Sequence, residues 1–295
     1  MKAIPVFFCC DDNYAPYLSV TLLSLLLNTK SNIDIHVIEN GISAKNKELI
    51  SSEINKYTNA KIHFHTINIS DRLPGFTGIR SITLATYSRF FIPEILPNTE
   101  KVIYCDIDLI FTGDVVELFE QNLEKYTIGA VPEFHFQATA EKRFYLFNKF
   151  RNLQISQSHE YFCAGVLLLN CKKWNKQNIL DKFVPLYKKY EEFLDCRDQD
   201  LLNIVFQNNY KKIPTKFNVI NQQISEHLSG KSVNKDCVIR HYNGSRKPWS
   251  QYPPSRRLIG SQLFWDIAKR SVFYEKIYKK ADKKWLRYIT NLILN

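Results

Sequence analysis

Short apolar runs alternate with stretches of helical spacing along the first part of the chain, and this alternation leaves few folds open. IPVFFCC (4–10) is an unbroken apolar run, suited to a strand buried on both faces. APYLSVTLLSLLLNT (15–29) reads as a helix ending near Asn28. NIDIHVIENG (32–41) is a strand with partial alternation. SAKNKELISSEINKYT (43–58) has helical spacing through Leu49, Ile50 and Ile54, with Ser43 as its N-cap. AKIHFHTINI (60–69) alternates again. Strands alternating with helices predict an α/β domain with a mostly parallel central sheet.

Further along, ITLATYSRFFIPEIL (82–96) predicts a helix stopped by Pro93 or soon after it. KVIYCDIDLIF (101–111) reads as a central strand and YFCAGVLLLNCKKW (161–174) as another apolar strand. DQDLLNIVFQNN (198–209) reads as a helix that begins in acid. From CVIRHYNGSRKPW (237–249) onward the pattern loosens, until the stretch 271–295 looks helical again. With 295 residues, 45% of them hydrophobic, the chain can bury one large core or two small ones. No run reaches the ~20 apolar residues that a bilayer-spanning helix needs. The start, MKAIPVFFCCDDNY, lacks a small-residue cleavage site and is read as no signal peptide. Seven cysteines, an odd number with no CxxC among them, read as reduced thiols of a cytosolic protein.

The chemistry begins in YCDIDLIF (104–111). On a strand, residues two apart share a face, so Asp106 and Asp108 are expected to point together with Ile107 opposite. Unpaired carboxylates in an apolar run are disfavoured. At the carboxyl end of a parallel strand, where ligands of such sheets sit, a divalent cation would compensate the pair. Oxygen ligands suit Mn²⁺ or Mg²⁺, which would bridge to substrate phosphates. The competing reading is a solvated pair at a strand end. HYNGSRKPW (241–249) adds His241, a competent Mn²⁺ ligand, Gly244, which permits close backbone approach to a phosphate, and Lys247, a point charge for a diphosphate.

Taken together, CCDDNYAPYLSVTLLSLL, TYSRFFIPEIL, YCDIDLIFTGDV, YFCAGVLLLNCKKW with DQDLLN, and HYNGSRKPW resemble the family 8 retaining glycosyltransferases. The likeness covers roughly residues 4 to 250 and is greatest to bacterial galactosyl- and glucosyltransferases of lipopolysaccharide synthesis. It implies the GT-A fold, a Rossmann-like nucleotide-sugar transferase fold, and transfer of galactose or glucose from a UDP-sugar to a lipopolysaccharide or lipooligosaccharide acceptor. It implies Asp106, Asp108 and His241 as Mn²⁺ ligands, with Mg²⁺ as the alternative ion. Asp11, Asn13 and Tyr14 match the stretch that holds uracil and ribose, and Cys9 and Ile107 match backbone contacts to the nucleotide. Arg89 matches a residue on the donor-sugar side, Asp198 and Gln199 the pair beside the donor sugar, and Gly244 and Lys247 the diphosphate contacts. Ala164 and Gly165 match the family's Ala-Gly. The family's preceding Asn is Cys163 here, so an amide that could bond sugar hydroxyls is lost. Glu133 and Asn243 stand on the acceptor side. The resemblance places Gln199 nearest the anomeric carbon. An amide is a poor nucleophile, which favours front-face attack over a covalent intermediate.

Net charge is +11, of which residues 252–295 carry +7, so the chain divides into a catalytic domain, 1–250, and a basic aromatic segment, 251–295. Tyr274, Tyr278, Ala281, Trp285, Tyr288 and Leu292 step by four and three onto one helix face, with Lys276, Lys279, Lys280, Lys283, Lys284 and Arg287 around much of the rest. This pattern suits an anionic membrane surface at the inner face of the cytoplasmic membrane. The competing reading is a helix docked on the domain. Two further functions remain open: transfer to a protein or capsular glycan, and a basic nucleic-acid-binding protein. Nucleic acid is not expected as a partner, because aromatic and basic residues are not interleaved in an RNA-type motif.

Overall fold

The computed structural model describes residues 3–78, 83–133, 140–220, 236–250 and 260–281. In chain order the strands are β1 (Ile4–Asp11), β2 (Ile33–Asn40), β3 (Ala60–Thr66), β4 (Val102–Cys105), β5 (Leu109–Phe111), β6 (Ile128–Pro132), β7 (Phe162–Leu169), β8 (Lys211–Lys212), β9 (Val219–Ile220) and β10 (Ile239–His241). Among the described residues, one sheet runs β3-β2-β1-β4-β7-β6-β8 and a second, smaller one runs β5-β10-β9. In the large sheet only β7 runs against its neighbours, β4 and β6. The other pairings are parallel. The expected mostly parallel sheet is present.

Helices cover both faces. In β1, Val6, Phe8 and Cys10 point into the core shared with α1 (Ala15–Asn28), while Phe7 points into the core on the other side. That two-sided burial is why the run carries no polar alternation. Ser43 caps α2 (Ala44–Ile54) by accepting from the Asn46 N–H. Of segment 82–96, Ile82 lies outside the described residues; a 3₁₀ helix, Leu84–Phe91, is followed by a short α-helix, Ile92–Ile95, so the chain turns just past Pro93 as expected.

KVIYCDIDLIF is not one strand. β4 ends at Cys105, residues 106–108 form a bend, and β5 belongs to the second sheet. The convergence of Asp106 and Asp108 therefore comes from the bend and not from strand pleat. Buried hydroxyls of α1 satisfy the interrupted backbone. Thr21 Oγ1 lies 2.6 Å from Ile107 O and 3.0 Å from Leu109 O, and Phe111 N–H donates to Ser24 Oγ at 3.0 Å. Buried backbone groups must find such partners.

Residues 260–281 share the core built by β1, β2 and α1. Helix Ser261–Ala268, which the loosened pattern hid, buries Phe264 and Trp265. Trp265 Nε1 donates to Pro248 O at 3.1 Å, and Val272 N–H donates to Glu53 Oε1 at 2.8 Å. Among the described residues, the core thus runs across the division drawn at residue 250. Tyr274, Tyr278 and Ala281, expected to face a membrane, pack with Phe273 and Ile277 against that core. Trp285, Tyr288, Leu292, Lys283, Lys284 and Arg287 lie outside the described residues.

Candidate active site

The carboxyl ends of β1 and β4 open into a cleft of about 640 Å³. Of the residues expected at a site, Asn13 does not line it. Asn13 is exposed, and its N–H, like that of Tyr14, donates to Asp11 Oδ1, closing a turn ahead of α1. All the others reach the cleft: Cys9, Asp11, Tyr14, Arg89, Asp106, Ile107, Asp108, Glu133, Ala164, Gly165, Asp198, Gln199, His241, Asn243, Gly244 and Lys247.

The centre of the cleft is acidic and paired. Asp106, Asp108 and His241 each offer one ligand atom, all within 4.8 Å of one another. His241 Nε2 lies 3.2 Å from Asp108 Oδ1 and 3.9 Å from Asp106 Oδ2. Its other nitrogen, Nδ1, lies 2.9 Å from Asn218 Oδ1. A carbonyl oxygen can only accept, so Nδ1 carries hydrogen and Nε2 is the nitrogen turned to the carboxylates. Gly165 leaves room for this arrangement. A Cβ there would press on the His241 ring and come within 3.0 Å of Asp106 Oδ2. Two carboxylates, an imidazole and the glycine cradle fit a hard or borderline divalent cation.

Lys247 closes the set from the far side. Its Nζ ion-pairs with Asp108 Oδ2 and donates to Tyr242 O at 2.9 Å. Burial works to raise the Asp108 carboxyl, but Lys247 and then His241 outweigh it and hold it below the ordinary range. For His241 burial opposes the charge, and Asp108 overcomes it, pushing the ring up to about 10. Gly244 sits at φ +78, and a Cβ there would meet nothing within 4 Å. Its glycine answers a left-handed backbone. Trp249 stacks on Tyr17 at 4.2 Å and pins the Lys247 loop to α1.

Arg89 is buried, and its guanidinium bonds protein groups from each nitrogen. Nη2 donates to Asp106 Oδ1 at 2.9 Å, Nη1 to Ala164 O at 2.8 Å and Nε to Thr86 O at 3.0 Å. Asp106 Oδ1 also accepts from Tyr104 OH. Nε of Arg89 lies 3.1 Å from Asp198 Oδ2, and Thr86 Oγ1 donates to Asp198 Oδ1 at 2.8 Å. Burial, with Asp106 adding to it, pushes Asp198 up to about 6 against Arg89 and Thr86. Asp198 is not a cap, since it follows Arg197, the N-cap residue of helix Asp198–Val205, at φ 44. At Ile107, where a backbone contact to the nucleotide was expected, the carbonyl accepts from Thr21 Oγ1 at 2.6 Å.

Gln199 is held at both ends. Ala164 N–H donates to its Oε1 at 2.9 Å, and its Nε2 donates to Glu133 Oε1 at 3.0 Å and to Tyr161 OH at 3.3 Å. Tyr161 OH donates in turn to Asp200 Oδ1, which Lys149 Nζ reaches at 2.7 Å. Asn218, Tyr161, Asp200 and Lys149 were not found by sequence reasoning. Asp200 had a signal, the second acid of DQD. The other three had none, because their partners lie tens of residues away.

A model of the family described as Glycosyl transferase family 8 matches residues 5–252. A lipopolysaccharide 1,2-glucosyltransferase of Escherichia coli is 27% identical over 93% of this chain and 80% of its own length. A lipopolysaccharide 1,3-galactosyltransferase of Salmonella typhimurium is 27% identical over 84% of this chain and 74% of its own. The crystal structure of galactosyltransferase LgtC with donor and acceptor sugar analogs superposes with a TM-score of 0.78 at 25% identity, covering 91% of this chain and 96% of that one. The fold is that GT-A architecture.

Proposed function

Since the chain belongs to glycosyl transferase family 8 and is a hexosyltransferase, we propose that it moves galactose or glucose from a UDP-sugar to a lipopolysaccharide or lipooligosaccharide acceptor, with retention of configuration. The observation that carries this reading is the cluster of Asp106, Asp108 and His241 beside Lys247 in a cleft of nucleotide-sugar size. Asp106, Asp108 and His241 would hold Mn²⁺, or Mg²⁺ in its place. When bound, the ion supplies positive charge to a diphosphate leaving group.

The chain's own groups do the rest. Lys247 adds a second positive charge on the leaving-group side in a partly dry cleft, an effect worth ~10² to 10³ in rate. Asp11 and Tyr14 line the nucleotide end, and Cys9 and Ile107 contribute backbone there. Asp198 and Gln199 stand beside the sugar. Arg89 acts as a positioning residue, holding Asp106 and Asp198 together from below. Glu133 and Asn243 line the acceptor side. Gln199 Oε1 is taken by a backbone N–H, and Asp198 is restrained by Thr86 and Arg89, which speaks against double displacement at either residue. Front-face attack is the reading we favour, with the departing phosphate oxygen accepting the acceptor hydroxyl's proton.

Such an enzyme works at the inner face of the cytoplasmic membrane. Among the described residues no helix is long and apolar enough to cross a membrane. The test is UDP release from a panel of UDP-sugars with and without Mn²⁺, beside calorimetric UDP binding. Metal-dependent release from one sugar, lost in Asp106→Asn/Asp108→Asn, is expected. Absence of both release and Mn²⁺-dependent UDP binding would overturn the reading. A covalent sugar on Asp198 in intact mass spectra, in the protein or in Gln199→Ala, would overturn the front-face step.

A further inference from the structure

Among the described residues, helix Ala140–Asn152 packs against the protein mainly through one side. Tyr145, Leu146 and Lys149 line the cleft, and Phe150 is buried in the core. Arg143, Phe144, Phe147 and Arg151 follow at helical steps and fall on a different stripe. Phe144 is 69% exposed and Phe147 51%. Arg143 and Arg151 are exposed as well, and neither Asp nor Glu occurs at the stripe's positions 140, 143, 144, 147 and 151. At the C-terminal end of the helix, Lys189 Nζ lies 2.8 Å from Gln154 Oε1 and adds a further cation.

We propose that this stripe seats the enzyme on an anionic phospholipid surface, with Phe144 and Phe147 entering the interface and Arg143 and Arg151 meeting headgroup phosphates. A single exposed aromatic is ordinary. Two exposed phenylalanines one turn apart, flanked by arginines on a helix of a chain with net charge +11, have the composition of an interfacial amphipathic face. The helix also fixes the geometry. Its other face is a wall of the cleft, so docking the stripe puts the cleft within about one helix diameter, ~10 Å, of the lipid surface. That last step rests on the glycolipid-acceptor reading, whereas lipid binding itself does not.

The test uses the full chain with sedimenting vesicles of phosphatidylglycerol and phosphatidylethanolamine, against vesicles of phosphatidylcholine. Partition into the anionic vesicles is expected, reduced about tenfold or more in Phe144→Ser/Phe147→Ser. The basic C-terminal segment could bind lipid as well, so a local readout is needed. Hydrogen exchange of the 140–152 peptide is expected to slow when anionic vesicles are added. Mn²⁺-dependent UDP binding in the double variant should match wild type, which separates failure of this surface from failure of the catalytic reading. Unchanged partition of the double variant, or a 140–152 peptide that vesicles do not protect, overturns the proposal. Self-association that is lost in the double variant while vesicle binding persists would also overturn it and assign the stripe to a second copy of the chain.

Discussion

Asn218 sets the direction in which His241 faces. With Asn218 Oδ1 2.9 Å from Nδ1, the ring can turn only Nε2 toward Asp106 and Asp108. Groups that orient a ligating histidine in this way typically contribute 10- to 100-fold to metal affinity. Asn218→Leu should therefore weaken Mn²⁺ binding by about that factor, measured by electron paramagnetic resonance titration of free Mn²⁺. Binding equal to wild type would remove Asn218 from the site.

Gly165 is set by space and not by backbone conformation, since its φ is not positive. Gly165→Ala would place a methyl against the His241 ring, 2.8 Å from Nδ1, and 3.0 Å from Asp106 Oδ2. Overpacking of this kind costs about 1–3 kcal/mol. Here the easiest relief is movement of His241 or Asp106. The expected outcome is loss of Mn²⁺-dependent UDP binding with only a modest fall in melting temperature. A large fall in melting temperature with UDP binding retained would mean that the backbone gives way instead.

Lys149 and Asp200 form a buried pair at 2.7 Å, with Asp200 0% exposed. Burial raises the Asp200 carboxyl, and Lys149 opposes that rise. Lys149→Met would strand a carboxylate and should cost about 3–5 kcal/mol in urea unfolding. Lys149→Met/Asp200→Asn should recover much of that loss, because neither charge then remains. A double variant as unstable as the single would show that Tyr161 and the Cys196 N–H, not Lys149, compensate the carboxylate.

These residues mark how far the sequence was legible. β1 to β3, α1 and the Ser43 cap follow from periodicity and local chemistry, which act within a few residues. Asp106, Asp108, His241 and Lys247 stood out because a charge in an apolar run needs a partner, and the structure brings all four together across the small sheet. The break after Cys105 was not legible. Leu109–Phe111 continues the apolar run, and the groups that hold it in its second sheet, the Thr21 and Ser24 hydroxyls and the β10 backbone, are all remote in sequence. Helix Ser261–Ala268 did carry a signal, since Gln262, Asp266 and Lys269 fall at helical spacing on an exposed face opposite Phe264, Trp265 and Ala268, but at eight residues it is too short for that periodicity to stand out. Asn218 and Lys149 escaped because each acts on one distant partner, which periodicity cannot reveal.

The pH dependence of stability should carry a signature from His36. The ring is buried against Phe7 at 4.5 Å and faces Asp34, His63 and His65 from β2 and β3. Burial lowers it to about 4, with His65 and His63 adding to that effect and Asp34 opposing it. The folded value lies below the ordinary 6.5, so the unfolded chain binds the proton more readily. The contribution is therefore fully present above pH ~6.5, falls as pH drops toward ~4, and amounts to on the order of 2–3 kcal/mol across that window. Urea unfolding of wild type should show this decline between pH 7 and 4.5. His36→Gln, which cannot charge, should show a flatter profile over the same range. Parallel profiles would mean that His36 does not govern the acid limb.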